Sequence, residues 1–329
     1  MCPIATGLNV VLPFHPSGSR VFSTTPLVQL KEFFPRTETR KIVNTETSWR
    51  HPVYTSLFTQ RFSEKQMRDI QVAHREARDW SDWVALGTVR FLRRSTDFAT
   101  KYRHPPEKNV QNRADDFVMT ERKWLVRFIF LESVAGVPGM VGGMLRHLRS
   151  LRRMKRDNRW IETLLEEAFN ERMHLLTFLQ LAEPGWFMRL MVLGAQGVFF
   201  NAFFISYLLS PRTCHRFVGY LEEEAVLTYS RAIEDLEAGK LPKWQDHDAP
   251  NVAIQYWNMP EGHRKMKDLL LYIRADEAKH REVNHTLGNL NQKMDPNPYA
   301  AIYKDPVDVH PTKGIDNLKP HGWERKDAI

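Results

Sequence analysis

The chain has 329 residues, 42% hydrophobic and 26% charged, so it is long enough to bury a sizeable core and too apolar for a disordered protein. Its two cysteines, Cys2 and Cys214, exclude a disulfide framework and a thiolate zinc site, which leaves carboxylate and imidazole ligands that suit iron or manganese. The net charge of +8 favours an acidic partner, either nucleic acid or anionic lipid, and the aromatic-rich apolar stretches favour lipid.

The beginning of the chain has the composition of a targeting segment. No aspartate or glutamate precedes Glu32, and a run of arginine, serine and threonine surrounds Phe22, as in a mitochondrial presequence; an ordinary disordered leader is the alternative. We expect a presequence over residues 1–22. An extended arm over residues 23–70 should follow, since its prolines, threonines and mixed charges show no lasting periodicity.

A helical pattern over residues 70–100 places tryptophans and aliphatic side chains opposite arginines. A basic amphipathic helix with tryptophans is typical of a helix that lies in a membrane interface. The same pattern also fits an ordinary helix that faces a protein core, and the segment alone does not decide between them.

The next predicted helix, residues 118–151, contains an isolated acid. Glu132 is the only acid between Glu121 and Asp157, and its neighbours are apolar. Because a buried carboxylate is costly unless it is paired or coordinated, Glu132 is a candidate metal ligand. Pro138 should kink this helix one to two turns beyond it.

Two further helices each carry a glutamate and a histidine three positions apart. Glu171 and His174 lie on a predicted helix over residues 160–182, and Glu277 and His280 on the last long helix. This spacing puts both side chains on one side of a helix, about 4.5 Å apart along its axis, where one metal ion could bind both. Two such pairs, together with a lone glutamate from each of two other helices, form the ligand set of ferritin-like di-metal bundles. The helix over residues 160–182 carries three other glutamates that are expected to be solvated, namely Glu162, Glu166 and Glu167.

Residues 190–209 carry no charge over twenty positions and could cross a bilayer, as could residues 128–145. Two spans would put Glu171 on one side of the membrane and Glu277 on the other, separated by about 30 Å of hydrocarbon. If these residues share a metal site, residues 190–209 must lie along the membrane surface or inside the bundle.

The helix predicted over residues 215–238 contains three consecutive glutamates that fan out at about 100° each, so that one can face the core. Glu222 is therefore the second candidate for a lone ligand. Tyr229 lies on nearly the same face, about 10 Å further along the axis. It is either a phenol close enough for radical or proton transfer, or an ordinary core residue.

The helix predicted over residues 265–290 carries a third pair of the same spacing, Glu282 and His285. This pair lies about 140° around the helix from Glu277, so both pairs cannot face one core. The remaining residues, 291–329, are rich in proline, lysine and aspartate and are expected to form an exposed C-terminal arm.

Four motifs in order resemble the mitochondrial alternative oxidases, over roughly residues 75–290: LESVAGVPGM around Glu132, NERMH, LEEEAVLTY and RADEAKH. The resemblance implies an all-α fold. Residues 71–290 would form a ferritin-like four-helix di-iron bundle with two additional membrane-associated helices, interfacial and monotopic. The resemblance further implies a cyanide-insensitive oxidase that reduces O2 to water with electrons from ubiquinol and pumps no protons. The protein would be a homodimer on the matrix side of the mitochondrial inner membrane, with no nucleic-acid partner.

The resemblance also assigns roles to individual residues. It implies a non-haem di-iron centre with two iron ions and makes Tyr229 redox-active. The implied iron ligands are Glu132, Glu171, His174, Glu222, Glu277 and His280, and Glu282 and His285 fall outside this set. The quinol pocket would be lined by Arg127, Leu131, Glu224, Ala225 and Thr228. The ligands would be surrounded by Asn170, Asp276, Trp257 and His215.

One departure from the family and two rival interpretations bear on function. Plant-type members carry a regulatory N-terminal cysteine, whereas Cys2 would be lost here with the presequence, so that regulation is not expected. A membrane-bound di-iron enzyme that hydroxylates a quinone or lipid could use the same ligands. A two-span membrane protein without enzymatic activity could use its glutamates and histidines only for pairing and capping.

Overall fold

The structure is a computed structural model that describes residues 62–100, 119–182, 184–300, 311–312 and 314–329. These residues belong to one compact unit, Thr37–Ile329, and apart from an isolated bridge between Asp248 and Lys265 their regular secondary structure is helical. The helices of the described residues are α1 (Glu64–Arg68), α2 (Trp80–Thr100), α3 (Glu121–Arg153), α4 (Trp160–Leu181), α5 (Trp186–Leu209), α6 (Pro211–Glu237), α7 (Asn251–Tyr256), α8 (Met266–Asn289) and α9 (Arg325–Ala328). The all-α prediction is confirmed.

Four long helices, α3, α4, α6 and α8, form the bundle as two closely packed antiparallel pairs. In the first pair, a Cβ atom at Gly139 of α3 would lie 2.4 Å from the carbonyl oxygen of Leu164 on α4. In the second, a Cβ atom at Gly219 of α6 would lie 2.5 Å from Nδ1 of His285 on α8. Each pair therefore depends on a glycine that lets the helices approach, because packed interiors have no space for an extra methyl group.

The central helix is α8, which is buried almost all round. Of its residues between Met266 and Gly288, only Lys267 and Asp268 are not buried. A helix in this position must satisfy its polar side chains internally, since an unpaired buried polar group costs about 1–3 kcal/mol. On one side of α8, Glu277 and His280 consequently face the buried acids of the other helices, and on another side Lys279 and Glu282 bind the backbone of the C-terminal segment.

Helices α2 and α5 pack on the bundle but leave most of their apolar side chains exposed. Both α3 and α5 are long and apolar enough to cross a membrane, yet half of the apolar window of α3 is buried against 11% for α5. On α5 the buried side chains are Phe203 and Tyr207, which pack with Leu86 of α2 against α6. The exposed apolar residues of the two helices are Trp80, Trp83, Val84, Phe91 and Phe98 on α2, and Trp186, Phe187, Leu190, Met191, Leu193, Val198, Phe200, Ile205, Leu208 and Leu209 on α5.

The helix predicted to start at residue 70 begins ten residues later, at Trp80. Polar contacts hold the preceding segment in a non-helical path. The backbone N–H of Arg75 donates to Glu223 at 2.9 Å, and the guanidinium of Arg75 donates to the carbonyl oxygen of His321 at 2.6 Å. Asp79 then accepts the backbone N–H of Asp82 and so caps the helix start.

The C-terminal segment, expected to form an exposed arm, packs in part against α8 among the residues that the structure describes, while others such as Met294 and Ile329 are exposed. Nζ of the buried Lys279 donates to the carbonyl oxygens of Thr312 and Gly314, at 2.7 and 2.8 Å. Tyr299 is fully buried, and its hydroxyl bonds to the side chain of Thr286 on α8. The segment packs because α8 carries buried donors and acceptors on the side away from the metal centre, which the tail backbone satisfies.

The N-terminal predictions fall almost entirely outside the described residues. The presequence, 1–22, and most of the arm, 23–70, are not described. The last nine residues of the arm contain the short helix α1, and Phe62 and Met67 are buried in the main core cluster. This end of the arm is therefore part of the folded unit.

Candidate metal centre

Six acidic and imidazole side chains from four helices converge in the middle of the bundle. Within the described chain they form two clusters in which the ligand atoms lie within 4.8 Å of one another: Glu132, Glu171, His174 and Glu277 in one, and Glu171, Glu222, Glu277 and His280 in the other. Glu171 and Glu277 belong to both clusters. The structure thus brings together all six ligands implied by the resemblance, none of them more than 5% exposed.

Both imidazole rings turn the same nitrogen toward the carboxylates. Nδ1 of His174 lies 3.1 Å from Glu277 Oε1, 3.4 Å from Glu132 Oε2 and 3.4 Å from Glu171 Oε2. Nδ1 of His280 lies 2.6 Å from Glu171 Oε1 and 3.6 Å from Glu277 Oε2. The ring centroids are 6.1 Å apart, so the two histidines occupy opposite ends of the carboxylate cluster.

The donor atoms of this cluster fit metal ions better than they fit each other. Glu132 Oε2, both oxygens of Glu171, Glu277 Oε2 and His174 Nδ1 are buried and make no hydrogen bond of acceptable geometry with the described residues, even though Glu171 Oε1 lies 2.6 Å from His280 Nδ1. Leaving so many buried acceptors unsatisfied would cost about 1–3 kcal/mol each. Four carboxylates and two imidazoles form a hard to borderline donor set that suits iron or manganese, and a cation would satisfy these atoms together.

The electrostatics of the cluster favour the same conclusion. Burial, followed by the charge of Glu277, raises the pKa of Glu132 to about 8, and burial beside Glu277 and Glu171 raises the pKa of Glu222 well above its usual range. Burial alone would also raise the pKa of Glu171, but the nearby charges of the two imidazoles outweigh it and lower that pKa. Without a cation the cluster must hold extra protons, which metal binding would displace.

Behind His174, three polar residues converge on one carboxylate. Asp276 Oδ2 accepts hydrogen bonds from Asn170 Nδ2 at 3.0 Å and from Trp257 Nε1 at 2.8 Å, and it lies 3.3 Å from His174 Nε2. A carboxylate in this place orients a metal-binding imidazole and fixes its tautomer. The structure thus places Asn170, Asp276 and Trp257 together beside His174.

His215 lies one step further from the ligands than these three. Its Nε2 lies 3.2 Å from the hydroxyl of Tyr207, and its Nδ1 lies 3.2 Å from Asn284 Oδ1. Asn284 in turn donates to the carbonyl oxygen of His280 at 3.1 Å. His215 thus reaches the ligand set through Asn284.

Tyr229 is buried directly against the cluster. Its hydroxyl donates a hydrogen bond to Glu132 Oε1, and its ring stacks on Phe128 with the centroids 4.8 Å apart. Burial, and next the charge of Glu132, raise the pKa of Tyr229 well above its usual range. The phenol therefore keeps its proton and holds it at the edge of the metal centre.

The residues predicted to line a quinol pocket lie on α3 and α6. Side chains of α2 form hydrogen bonds to both groups. Arg127 Nη1 donates to Asp97 Oδ1 at 3.3 Å, and Arg93 Nη1 donates to Glu224 Oε1 at 2.5 Å. Thr228 is buried, and Leu131 and Ala225 are half-buried. Sequence reasoning missed Arg93 and Asp97, although their four-residue spacing on an amphipathic helix was a usable signal.

An apolar groove lies elsewhere among the described residues, between α3, α4 and α5. It has a volume of about 610 Å³ and is lined by Ile129, Leu175, Leu179, Pro184, Met188, Arg189, Val192, Leu193 and Gln196. None of the five predicted quinol residues lines it.

One acid departs from its expected surroundings, and the third pair behaves as expected. Glu167, expected to be solvated, is 2% exposed, and its Oε2 accepts a hydrogen bond from Asn284 Nδ2 at 2.8 Å. Its position four residues before Glu171, on the same helix face, was the available signal. Glu282 pairs with Lys279 at 2.7 Å, and His285 pairs with Glu223 at 2.8 Å, so the third pair lies outside the metal clusters, as the helix geometry predicts.

Comparisons with known proteins agree with this geometry. A model of the alternative oxidase family matches residues 62–289. The chain is 70% identical over 313 residues to "Alternative oxidase, mitochondrial" of Aspergillus niger, which covers 95% of this chain and 86% of that protein. It is 67% identical over 315 residues to the protein of the same name from Emericella nidulans, covering 96% and 86%. With the protein of that name from Ajellomyces capsulatus it shares 69% identity over 315 residues, covering 95% and 86%.

Proposed function

Because the chain belongs to the alternative oxidase family, we propose that this oxidase takes electrons from ubiquinol and reduces O2 to water at a non-haem di-iron centre. The observation that carries the proposal is the convergence of six ligand side chains from four helices in a site closed to water. Iron is the metal we propose, since the family implies it and the carboxylate and imidazole donors suit it. Two bound irons would supply oxygen binding and one-electron transfers, which side chains alone do not provide.

The protein's own contribution begins with the orientation of the ligands. Asp276 Oδ2 accepts hydrogen bonds from Asn170 and Trp257, so this oxygen carries no proton. It can therefore only accept from His174 Nε2, which lies 3.3 Å away. When metal displaces the proton on Nδ1, His174 would keep its other proton on Nε2, and the lone pair of Nδ1 would point at the carboxylate cluster. No reorientation of this ring is needed when metal binds.

Tyr229 is the residue that we propose as redox-active. Its hydroxyl already donates to Glu132, so an electron can leave the phenol while its proton moves along an existing hydrogen bond to the carboxylate. The stacked ring of Phe128 excludes water from the phenol. A buried phenol arranged in this way can supply an electron and a proton together.

For ubiquinol we propose a site beside α2, α3 and α6, with Arg127 as a donor to a quinol oxygen. The guanidinium of Arg127 is mostly buried and is oriented by Asp97. The half-buried Leu131 and Ala225 and the buried Thr228 would surround the quinone ring together with Glu224. Each ubiquinol supplies two electrons and two protons, so two ubiquinol molecules are consumed for each O2.

We propose that the protein lies on one leaflet of the mitochondrial inner membrane, facing the matrix, and does not span it. The apolar faces of α2 and α5 supply the contact surface, and both pack against α6. A span by α3 is incompatible with the metal centre, because Glu132 of α3 must reach the ligands of α4 and α8. Since no charge path crosses the membrane, the reaction would pump no protons.

The membrane face can be tested with charges on α5. Leu193 and Leu209 are 67% and 81% exposed. Replacing both by glutamate in one variant should weaken binding to anionic lipid vesicles at least about tenfold, because each leucine buried in lipid contributes about 1.5–3 kcal/mol. Co-sedimentation of the purified protein with vesicles measures this. The matched control is Val72→Glu, an exposed apolar position outside α2 and α5. Equal binding by all three proteins, or labelling of α5 from both sides of sealed vesicles, would contradict an interfacial position.

The activity itself is tested on the purified protein with its metal. We expect about two irons per chain and ubiquinol-dependent oxygen uptake that cyanide does not inhibit. All of the oxygen consumed should appear as water; an oxygenated quinone or lipid product would instead indicate the hydroxylase alternative. In sealed vesicles ubiquinol oxidation should produce no proton gradient, and proton movement coupled to turnover would refute the non-pumping proposal.

The same assay tests the quinol site. Arg127→Ala should raise the Michaelis constant for ubiquinol by about tenfold, the loss of one hydrogen bond to a charged donor, and leave the iron content unchanged. Arg122→Ala, at an exposed position on the same helix, is the control. An unchanged Michaelis constant in the Arg127 variant would place ubiquinol elsewhere.

We also propose that the protein is a homodimer, because the family resemblance implies one. A monomeric mass in detergent would contradict this.

A further inference from the structure

Glu167 is a buried carboxyl group to which neither the metal clusters nor the proposed function assigns a role. It lies on α4 one helical turn before Glu171, about 6 Å along the axis, and it belongs to neither of the two clusters found in the described chain. Its Oε2 accepts a hydrogen bond from Asn284 Nδ2 at 2.8 Å. Burying an acid close enough to Glu171 and Glu277 to feel their charges is costly, so its position calls for a functional explanation.

The hydrogen bonds that reach Glu167 have a fixed direction. Asn284 Nδ2 also lies 3.1 Å from the carbonyl oxygen of His280, which can only accept, and this fixes the orientation of the amide. Asn284 Oδ1 therefore faces His215 Nδ1 at 3.2 Å, and that nitrogen must donate. His215 Nε2 is then left to accept from the hydroxyl of Tyr207 at 3.2 Å. All three bonds donate toward Glu167.

Two of these hydrogen-bonded residues keep one protonation state, so they can position Glu167 but cannot supply a proton. Burial lowers the pKa of His215 to about 3, so the ring stays neutral. Burial raises the pKa of Tyr207 to about 12, so the phenol stays protonated. Burial raises the pKa of Glu167 to about 7, although the charge of His280 lowers it, so both of its forms are accessible. Among these residues Glu167 is the one that can exchange a proton.

We propose that Glu167 is an internal acid that donates protons to oxygen as it is reduced, and that Asn284 and His215 are positioning residues that hold it beside the metal centre. This inference rests on the proposed function. The coordinating atoms of the six ligand side chains must stay deprotonated when metal is bound, so apart from the one proton that Tyr229 can pass to Glu132 Oε1 these side chains hold no protons for oxygen. They are also closed to water, so a proton source inside the protein is needed.

The proton balance of this step is simple. One O2 takes four electrons and four protons and forms two molecules of water, and two molecules of ubiquinol supply both. When Glu167 gives its proton to a reduced oxygen atom, its carboxylate is stabilised by the N–H of Asn284. It is then protonated again by protons that ubiquinol oxidation releases, so Glu167 is not consumed.

The test uses Glu167→Gln in the full-length protein, with Glu162→Gln as the control on the exposed side of the same helix. The first measurement is the infrared carbonyl stretch of a protonated carboxyl group, recorded on both the metal-free and the iron-loaded protein. We expect the wild type and Glu162→Gln to show a component of this band that Glu167→Gln lacks, while the metal-free protein should in every variant also show the protonated glutamates of the cluster, which metal binding deprotonates. In the loaded protein, Glu167→Gln should keep its iron and its Michaelis constant for ubiquinol. Its kcat should fall at least about 100-fold, with a larger solvent deuterium effect.

A second variant, Asn284→Leu, keeps the acid and removes its support. We expect the carbonyl band to move to higher frequency, because the hydrogen bond to Oε2 is lost, and kcat to fall about 10–100-fold. The donor role would be overturned by a wild type without the Glu167 band, by full kcat in Glu167→Gln, or by iron loss in that variant, which would make Glu167 part of the metal site. If the band is present but no protein oxidises ubiquinol, the proposed function itself fails, and the donor role fails with it.

Discussion

Replacing Glu171 by glutamine is expected to remove most of the bound metal and to lower oxidase activity by more than about 100-fold. The loss should exceed the 10–100-fold that follows when a residue hydrogen-bonded to a metal ligand is removed. Glu171 belongs to both clusters, where its Oε2 lies 3.4 Å from His174 Nδ1 and its Oε1 lies 2.6 Å from His280 Nδ1. A glutamine keeps the shape of the side chain. It loses the negative charge and replaces one acceptor oxygen by an N–H group that cannot bind a cation. Iron content and ubiquinol-dependent oxygen uptake, measured on the same preparation, test the prediction.

Two other glutamates sharpen this experiment. Glu222 belongs to one cluster, so Glu222→Gln should retain more metal than Glu171→Gln does. Glu162 lies on the same helix as Glu171, but its side chain is 44% exposed and belongs to neither cluster, so Glu162→Gln should behave as the wild type. If Glu171→Gln purified with two irons and normal activity, the assignment of Glu171 as the ligand common to both metal positions would be wrong.

The centre of the site could be predicted from the sequence because its geometry is local. Glu171 and His174 are three positions apart, and the helical repeat alone puts their side chains on one face. Glu132 was detectable because it is the one acid in an apolar stretch. The pairing of these helices with α8 does not follow from local geometry, and it was the family motifs that selected Glu277 and His280 as the partners.

Other surroundings of the site depend on contacts between distant segments, which local sequence does not reveal. Glu167 differs from its neighbour Glu166 in lying four residues before Glu171, but its partner Asn284 belongs to α8, far away in the sequence. The C-terminal segment has a polar composition that suggests an exposed arm, but it packs because the buried Lys279 needs carbonyl partners. Composition measures the average polarity of a segment, whereas burial depends on which donors and acceptors it meets.

The Tyr229→Phe variant should separate metal binding from catalysis. We expect it to bind iron normally, since Tyr229 is not among the ligands, and to lose at least about 100-fold in kcat, the usual contribution of a well-placed proton donor. Removing the hydroxyl leaves Glu132 Oε1 without its donor but keeps the ring stacked on Phe128. Iron content, kcat for ubiquinol, and the tyrosyl radical signal in electron paramagnetic resonance after reaction with oxygen are the measurements.

Tyr220→Phe is the matched control for Tyr229→Phe. Tyr220 is also a buried residue of α6, and its hydroxyl has no hydrogen-bond partner within the described residues. Its ring packs against His285, away from the six ligands. The same chemical change at this position should therefore leave kcat and the radical signal unaltered. A tyrosyl signal that survives in Tyr229→Phe and disappears in Tyr220→Phe would reverse the assignment. Unchanged kcat in Tyr229→Phe would mean that the hydroxyl only satisfies Glu132 and takes no part in oxygen reduction.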